Sequence, residues 1–223
     1  NGQVATIKMK LSGNLIHDIM RMKKISEVAP SSEIIVDANE SFHNLATLKR
    51  FVQQIQKIGA NVRMIEQPFQ ASADDELLEY KDRPIPICAD ESFHLDIAAV
   101  KGKYDMVNIK LDKAGGLTKA LELIDEAVNN GMGIMLGSML ASSLSMAPSY
   151  VAAAKAKQVV TEKDGQVYID LDSPMLLEKD REYRLKFDGE RIFSPDKRLW
   201  GGDGLAIDHS KVAKLCAVAS KAV

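Results

Sequence analysis

The chain has 223 residues, 46% hydrophobic and 27% charged, a globular composition long enough to bury a large core in one domain or two. A net charge of −2, from 29 basic and 31 acidic residues, leaves no electrostatic case for nucleic acid or an anionic membrane surface. No apolar run approaches the roughly 20 residues of a membrane span, and two cysteines argue against a disulfide framework and for a reducing, cytoplasmic setting.

In chain order, Asn1-Gly2-Gln3 runs directly into a strand over Val4–Lys10, and this start without Met predicts further sequence upstream. Leu15–Val28 follows as a helix, with Ile19, Met22, Ile25 and Val28 at helical spacing. Strand Glu33–Asp37 precedes a helix capped by Ser41, with Leu45, Leu48, Phe51, Ile55 and Ile58 on one face and Gly59 at its end. Next come strand Val62–Glu66, a helix near Asp74–Tyr80, strand Ile85–Asp90, a short helix at Leu95–Lys101 and strand Met106–Lys110. A helix over Thr118–Asn129 turns Leu121, Ile124 and Val128 inward and stops before Gly131. Strand Gly133–Gly137, an Ala-rich helix Ser143–Ala156 and strand Val167–Asp172 close the series.

Seven strands alternating with helices predict an α/β fold of parallel βα units. Their repeat of about 25–30 residues suits a TIM-type (β/α) barrel of ~250 residues, here one strand short. A doubly wound sheet competes, but no Gly-rich phosphate loop follows the first strand. After Ser173 the alternation stops. Arg184–Asp188 and Glu190–Phe193 read as a hairpin around Asp188-Gly189, and Ser210–Val223 as a closing helix. Residues 1–180 form the expected barrel domain, and 181–223 a tail that packs back on it through Trp200 or caps it.

Chemistry in such a barrel collects at the C-terminal strand ends. Three consecutive strands end in a carboxylate, Asp37, Glu66 and Asp90, 29 and 24 residues apart, or one βα unit each. Side by side on one rim they would repel unless a cation joined them, and hard oxygen ligands suit Mg²⁺. Taken singly, each could as well be a helix cap or a solvated loop acid. Lys8 and Lys10 alternate onto one face, the barrel interior, while Lys110 ends the strand after that of Asp90. A lysine buried near a cation and a second lysine has its pKa pushed down and can serve as a base near neutral pH. Snorkelling accounts for Lys103 and Lys113 but poorly for an inward Lys-x-Lys. Asp170 and Asp172 also share a face. They suit an ammonium group on a ligand or, equally, an Asx turn before Ser173-Pro174. Cys88 and Met132, Met135, Met139 and Met146 read as packing residues.

Lys8-Met9-Lys10, Val36-Asp37-Ala38-Asn39, Ile65-Glu66-Gln67-Pro68, Ala89-Asp90-Glu91-Ser92 and Asn108-Ile109-Lys110, the last running on to Lys113-Ala114-Gly115-Gly116, together resemble the enolase superfamily, and within it the muconate-lactonising-enzyme subgroup. Asp170-Leu171-Asp172 resembles the signature of the dipeptide epimerases of the L-Ala-D/L-Glu type. The resemblance implies Mg²⁺ held by Asp37, Glu66 and Asp90, acid–base lysines at Lys10 and Lys110, and an α-ammonium gripped by Asp170 and Asp172. It implies an auxiliary Lys8 near the substrate carboxylate; beside the resemblance, Asn39 and Glu91 read as outer partners of the metal acids and Lys110. The activity implied is epimerisation of a dipeptide such as Ala-Glu from cell-wall peptide turnover, by 1,1-proton transfer through a metal-stabilised enediolate. A His base, as in the mandelate-racemase subgroup, is not expected, because the sixth strand here runs into Leu136-Gly137-Ser138-Met139.

Family members carry an N-terminal capping domain and a first barrel strand that this chain does not show, so a homo-oligomer or a partner chain supplying the cap is also expected. Three other readings compete. An o-succinylbenzoate synthase or N-acylamino-acid racemase would leave the Asp pair without an ammonium partner, a lid-less barrel would be non-catalytic, and a cycloisomerase's dicarboxylate substrates would be repelled.

Overall fold

The computed structural model describes residues 4–163, 165–181, 183–188 and 191–193. Seven strands lie in one parallel sheet in chain order: β1 (Thr6–Lys10), β2 (Glu33–Asp37), β3 (Val62–Glu66), β4 (Ile87–Ala89), β5 (Met106–Lys110), β6 (Gly133–Gly137) and β7 (Val167–Ile169). Between them run α1 (Leu15–Val28), α2 (Leu45–Ile58), a 3₁₀ turn at Asp75–Glu79, α3 (Ile97–Val100), α4 (Leu111–Ala114), α5 (Leu117–Asn129) and α6 (Ser143–Thr161). The α/β barrel expectation holds. The sheet curls far enough that Lys8 Nζ on β1 lies 2.8 Å from Asp170 Oδ2 just past β7.

The two-residue alternation of each strand divides it between two cores. Outward residues such as Ile34, Val36, Ile65, Val107, Ile109, Ile134 and Leu136 pack against the helices in the large outer core. Inward residues Ile35, Met64, Cys88, Met106 and Met135 form a separate small core, with Tyr168 packed against it. Continuing the same inward row by two residues gives Asp37, Glu66, Asp90, Asn108, Gly137 and Asp170. The charged rim therefore stands directly on an apolar floor.

Several boundaries differ from the sequence expectation. Asn44, not Ser41, caps α2, its side chain accepting from Thr47 N at 2.9 Å. Strand β4 is only three residues long, because Pro84 and Pro86 cannot donate to a ladder and the Asp90 N–H is taken by a side chain, Gln67 Oε1, at 2.9 Å. The helix expected near Asp74–Tyr80 is a single 3₁₀ turn, and that expected at Leu95–Lys101 is confined to Ile97–Val100 by the cap of Asp96. Strand β7 ends at Ile169, where the chain turns into a second 3₁₀ segment, Ser173–Leu176. Helix α6 runs five residues beyond the expected Ala156.

Of the expected hairpin, β8 (Phe187–Asp188) and β9 (Arg191–Ile192) pair antiparallel. Leu185 is buried in the outer core, with Phe187 and Ile192 packed against it. Trp200 and the helix expected at Ser210–Val223 lie outside the described residues. Among the described residues no helix is long and apolar enough to cross a membrane.

Candidate active site

The parallel register sets the rim. Lys10 pairs with Asp37 and Asp37 with Glu66, so these three stand side by side on β1, β2 and β3. Glu66 is level with Cys88, which places Asp90 two residues higher beyond β4. Lys110 ends β5 opposite Gly137. The acids on β2, β3 and past β4 thus lie on an arc with a lysine at each end, Lys10 on β1 and Lys110 on β5. Asp37, Glu66 and Asp90 are 3%, 1% and 4% exposed, which removes the reading of them as solvated loop acids.

Buried charges need partners, and here lysines supply them. Lys8 Nζ lies 2.8 Å from Glu66 Oε2, 2.8 Å from Asp170 Oδ2 and 3.3 Å from Asp37 Oδ2. Burial alone would lower the Lys8 pKa, but the Glu66, Asp170 and Asp37 carboxylates outweigh it and push it well above the usual lysine range. Lys8, set among three carboxylates, is therefore an ammonium. Lys10, with its side chain 69% exposed, reaches Asn39 Oδ1 at 3.1 Å and Asp37 Oδ2 at 3.4 Å. Lys110 donates to Asp90 Oδ2 at 2.5 Å, and Lys113 to Asp90 Oδ1 at 2.7 Å and to the Asp90 carbonyl at 3.0 Å. Lys113 is thus part of the site rather than a snorkelling surface lysine, and Lys103 likewise holds Asp74 at 2.7 Å.

Asn39, at φ +40°, gives its backbone N–H to Asp37 Oδ1 at 3.2 Å, and its side-chain amide lies 3.5 Å from Glu91 Oε1. Glu91 therefore faces Asn39; the partner of Lys110 is Asp90. Asp172 precedes Ser173–Leu176 without a side-chain cap bond, so the Asx-turn reading does not apply to it. Its carboxyl is raised by burial and by the neighbouring Asp170 charge.

Two residues to which the sequence assigned no role complete the rim. Asn108 Nδ2 donates to Glu66 Oε1 at 2.7 Å. Gly137 leaves room for that amide, since a Cβ there would lie 2.5 Å from Asn108 Oδ1. A Gly aligned with the end of an acid- and lysine-bearing rim was the available signal.

Lys8, Lys10, Lys110, Lys113, Asp37, Asp90, Glu91, Asp170 and Asp172 line one cavity of about 670 Å³, whose lip is formed by Met139, Leu140 and Leu176. Among the described residues no three metal-ligating side chains are gathered closely enough to hold an ion as they stand, because ammonium groups sit between the carboxylates. The donor set nevertheless fits a hard divalent cation. Asp37, Glu66 and Asp90 bring hard carboxylate oxygens to adjacent strand ends, the donors such an ion takes. Burial, together with the Asp37 and Asp90 charges, pushes the Glu66 carboxyl up to about 7 against the pull of Lys8.

The family described as "Enolase C-terminal domain-like" has a model that matches residues 1–209. The chain belongs to the enolase superfamily. A curated member, N-acetyl-D-glutamate racemase of Pseudoalteromonas sp, is 41% identical over 198 residues, 88% of this chain and 58% of that protein. L-Ala-D/L-Glu epimerase of Escherichia coli is 43% identical over 183 residues, 81% of this chain and 52% of that protein. Among solved structures, a dipeptide epimerase from Methylococcus capsulatus complexed with Mg ion has 30% identity and a TM-score of 0.68, covering 79% of this chain and 50% of that one. This enolase-superfamily chain thus spans little more than half the length of the curated relatives it matches.

Proposed function

We propose that the protein is an epimerase of dipeptides, exchanging the proton on the carbon α to a carboxylate, with L-Ala-L/D-Glu or a related dipeptide as substrate. One observation carries this reading: two lysines at opposite ends of an acid arc, Lys10 and Lys110, open into the same cavity as the Asp170 and Asp172 carboxylates. Asp37, Glu66 and Asp90 would hold Mg²⁺, which would neutralise the substrate carboxylate as its α-carbon loses a proton. One lysine, neutral at its Nζ, takes that proton on one face, and the other, as an ammonium, returns one from the opposite face. Inversion follows because the two groups approach from opposite sides. Lys8, held cationic, stays beside Glu66 and Asp37 and moves no proton. The α-ammonium of the dipeptide docks on Asp172, whose side chain caps no helix, with Asp170 beside it.

A second reading has its own support. Asp170 already has a cationic partner in Lys8 at 2.8 Å, so its burial does not depend on a substrate ammonium. An N-acyl glutamate lacking that ammonium would then also be accepted, in line with the N-acetylglutamate racemase at 41% identity.

Proton NMR in D₂O with Mg²⁺ separates the two. We expect loss of the Glu α-proton of L-Ala-L-Glu with growth of the D-epimer, and at least a tenfold loss of that rate on replacing Asp170 and Asp172 by Asn. Faster exchange of N-acetylglutamate, indifferent to those substitutions, would select the second reading. Exchange in neither substrate, across a panel of dipeptides, would overturn both.

A further inference from the structure

We propose that Gln67 is the positioning residue of the rim, a single buried side chain and its backbone that set the spacing of the Asp37, Glu66 and Asp90 loops. The inference rests on the reading of those three acids as cation ligands.

Gln67 follows Glu66 directly, is fully buried, and holds φ +36°, a left-handed conformation that a non-glycine residue keeps only when its surroundings enforce it. Its carbonyl accepts the Glu40 N–H at 2.8 Å, which fixes the loop after Asp37. Its backbone N–H donates to the Cys88 carbonyl at 2.9 Å, extending the β3–β4 pairing beyond the ladder. Its Oε1 accepts from Asp90 N at 2.9 Å and Ser92 N at 3.1 Å, so one side-chain oxygen orients the backbone of the third acid. Its Nε2 donates to the Phe69 carbonyl at 2.8 Å and to Ser92 Oγ at 2.7 Å, with Tyr104 Oη at 3.1 Å.

The brace continues outward. The Ser92 and Tyr104 hydroxyls both donate to Asp74 Oδ2, at 2.7 and 2.9 Å, and Lys103 holds the other Asp74 oxygen. One residue thereby touches all three acid-bearing segments, its backbone carbonyl holding the loop after Asp37 and its side-chain amide the segment of Asp90, and the amide's own position is set by a buried carboxylate anchored to a lysine. A cation held by three acids on three strands demands that their spacing be held to a fraction of an ångström. A side chain that merely filled the core would affect folding and leave that spacing alone.

The test titrates Mn²⁺ into the full-length protein by calorimetry, with thermal midpoints measured alongside. Gln67→Met keeps the volume and removes the amide; we expect at least a tenfold weaker Mn²⁺ dissociation constant. Leu77→Ala, a fully buried apolar site in the neighbouring 3₁₀ turn, should lower the midpoint and leave the constant within twofold of wild type. A Gln67→Met constant within twofold of wild type, with Glu66→Gln abolishing binding, would overturn the positioning role alone. A wild-type protein that binds no Mn²⁺ would overturn both this role and the ligand reading. Should Gln67→Met not fold, Ser92→Ala takes its place: at least threefold weaker binding supports the brace, and an unchanged constant overturns it.

Discussion

The inward faces of the strands carry two layers that differ in kind although only two residues separate them. The lower layer, Ile35, Met64, Cys88, Met106 and Met135, is apolar and closed to solvent. The rim above it gathers Asp37, Glu66, Asp90 and the lysines that hold them. Even Cys88, directly below, serves as packing: burial, then the Glu66 and Asp90 charges, push its thiol well above the usual range, so it stays neutral. The apolar floor excludes water from beneath the carboxylates and strengthens every charge interaction above it. The division places stability in one layer and chemistry in the next, and substitutions can be aimed at either.

The sharpest break is at the rim. Lys110→Ala should reduce α-proton exchange by about 10³-fold, read by NMR in D₂O, with little change in thermal midpoint because Lys113 still pairs with Asp90. One layer down the effect reverses. Met64→Ala, at a site with no exposure, should cost about 3 kcal/mol in urea denaturation, with exchange per folded molecule within twofold of wild type. Equal losses of activity from both variants would contradict the separation of layers.

Gly137→Ala probes the packing within the rim itself. The new Cβ would displace the Asn108 amide from Glu66, so we expect roughly a tenfold activity loss and about 1–2 kcal/mol of stability. Normal activity would show that Asn108 does not matter to Glu66.

The smallest effect is a pH dependence outside the rim. Burial opposes charge on Asp74, yet hydrogen bonds from Lys103, Ser92 and Tyr104 hold its carboxyl below the usual carboxylate value. A group whose pKa is lowered on folding contributes stability above its unfolded value of about 3.9 and loses it as pH falls through the folded value. The stability gap between wild type and Asp74→Asn, about 1 kcal/mol, should therefore be level from neutral pH to about pH 5 and close as the pH falls below the ordinary carboxylate range. A gap independent of pH would place the Asp74 contribution in its shape rather than its charge.

Much of this was legible from residue order. Strand residues alternate with period two, helical faces recur every three or four, and a parallel βα repeat brings every strand's C-terminal end to one rim. Asp37, Glu66, Asp90, Lys110 and Asp170 could be placed there by counting. Their partners could not be. Lys8 meets Asp170 across 162 positions, Asn108 meets Glu66 across 42, and Gln67 reaches Ser92 across 25. Sequence periodicity reports which way a side chain points relative to its own element. Which groups share a buried space, and so whether Lys8 is raised or lowered in pKa or Lys113 is solvated or paired, follows from the curl of the sheet. Only the tertiary structure sets that, because charge interactions depend on distance and burial rather than on order along the chain.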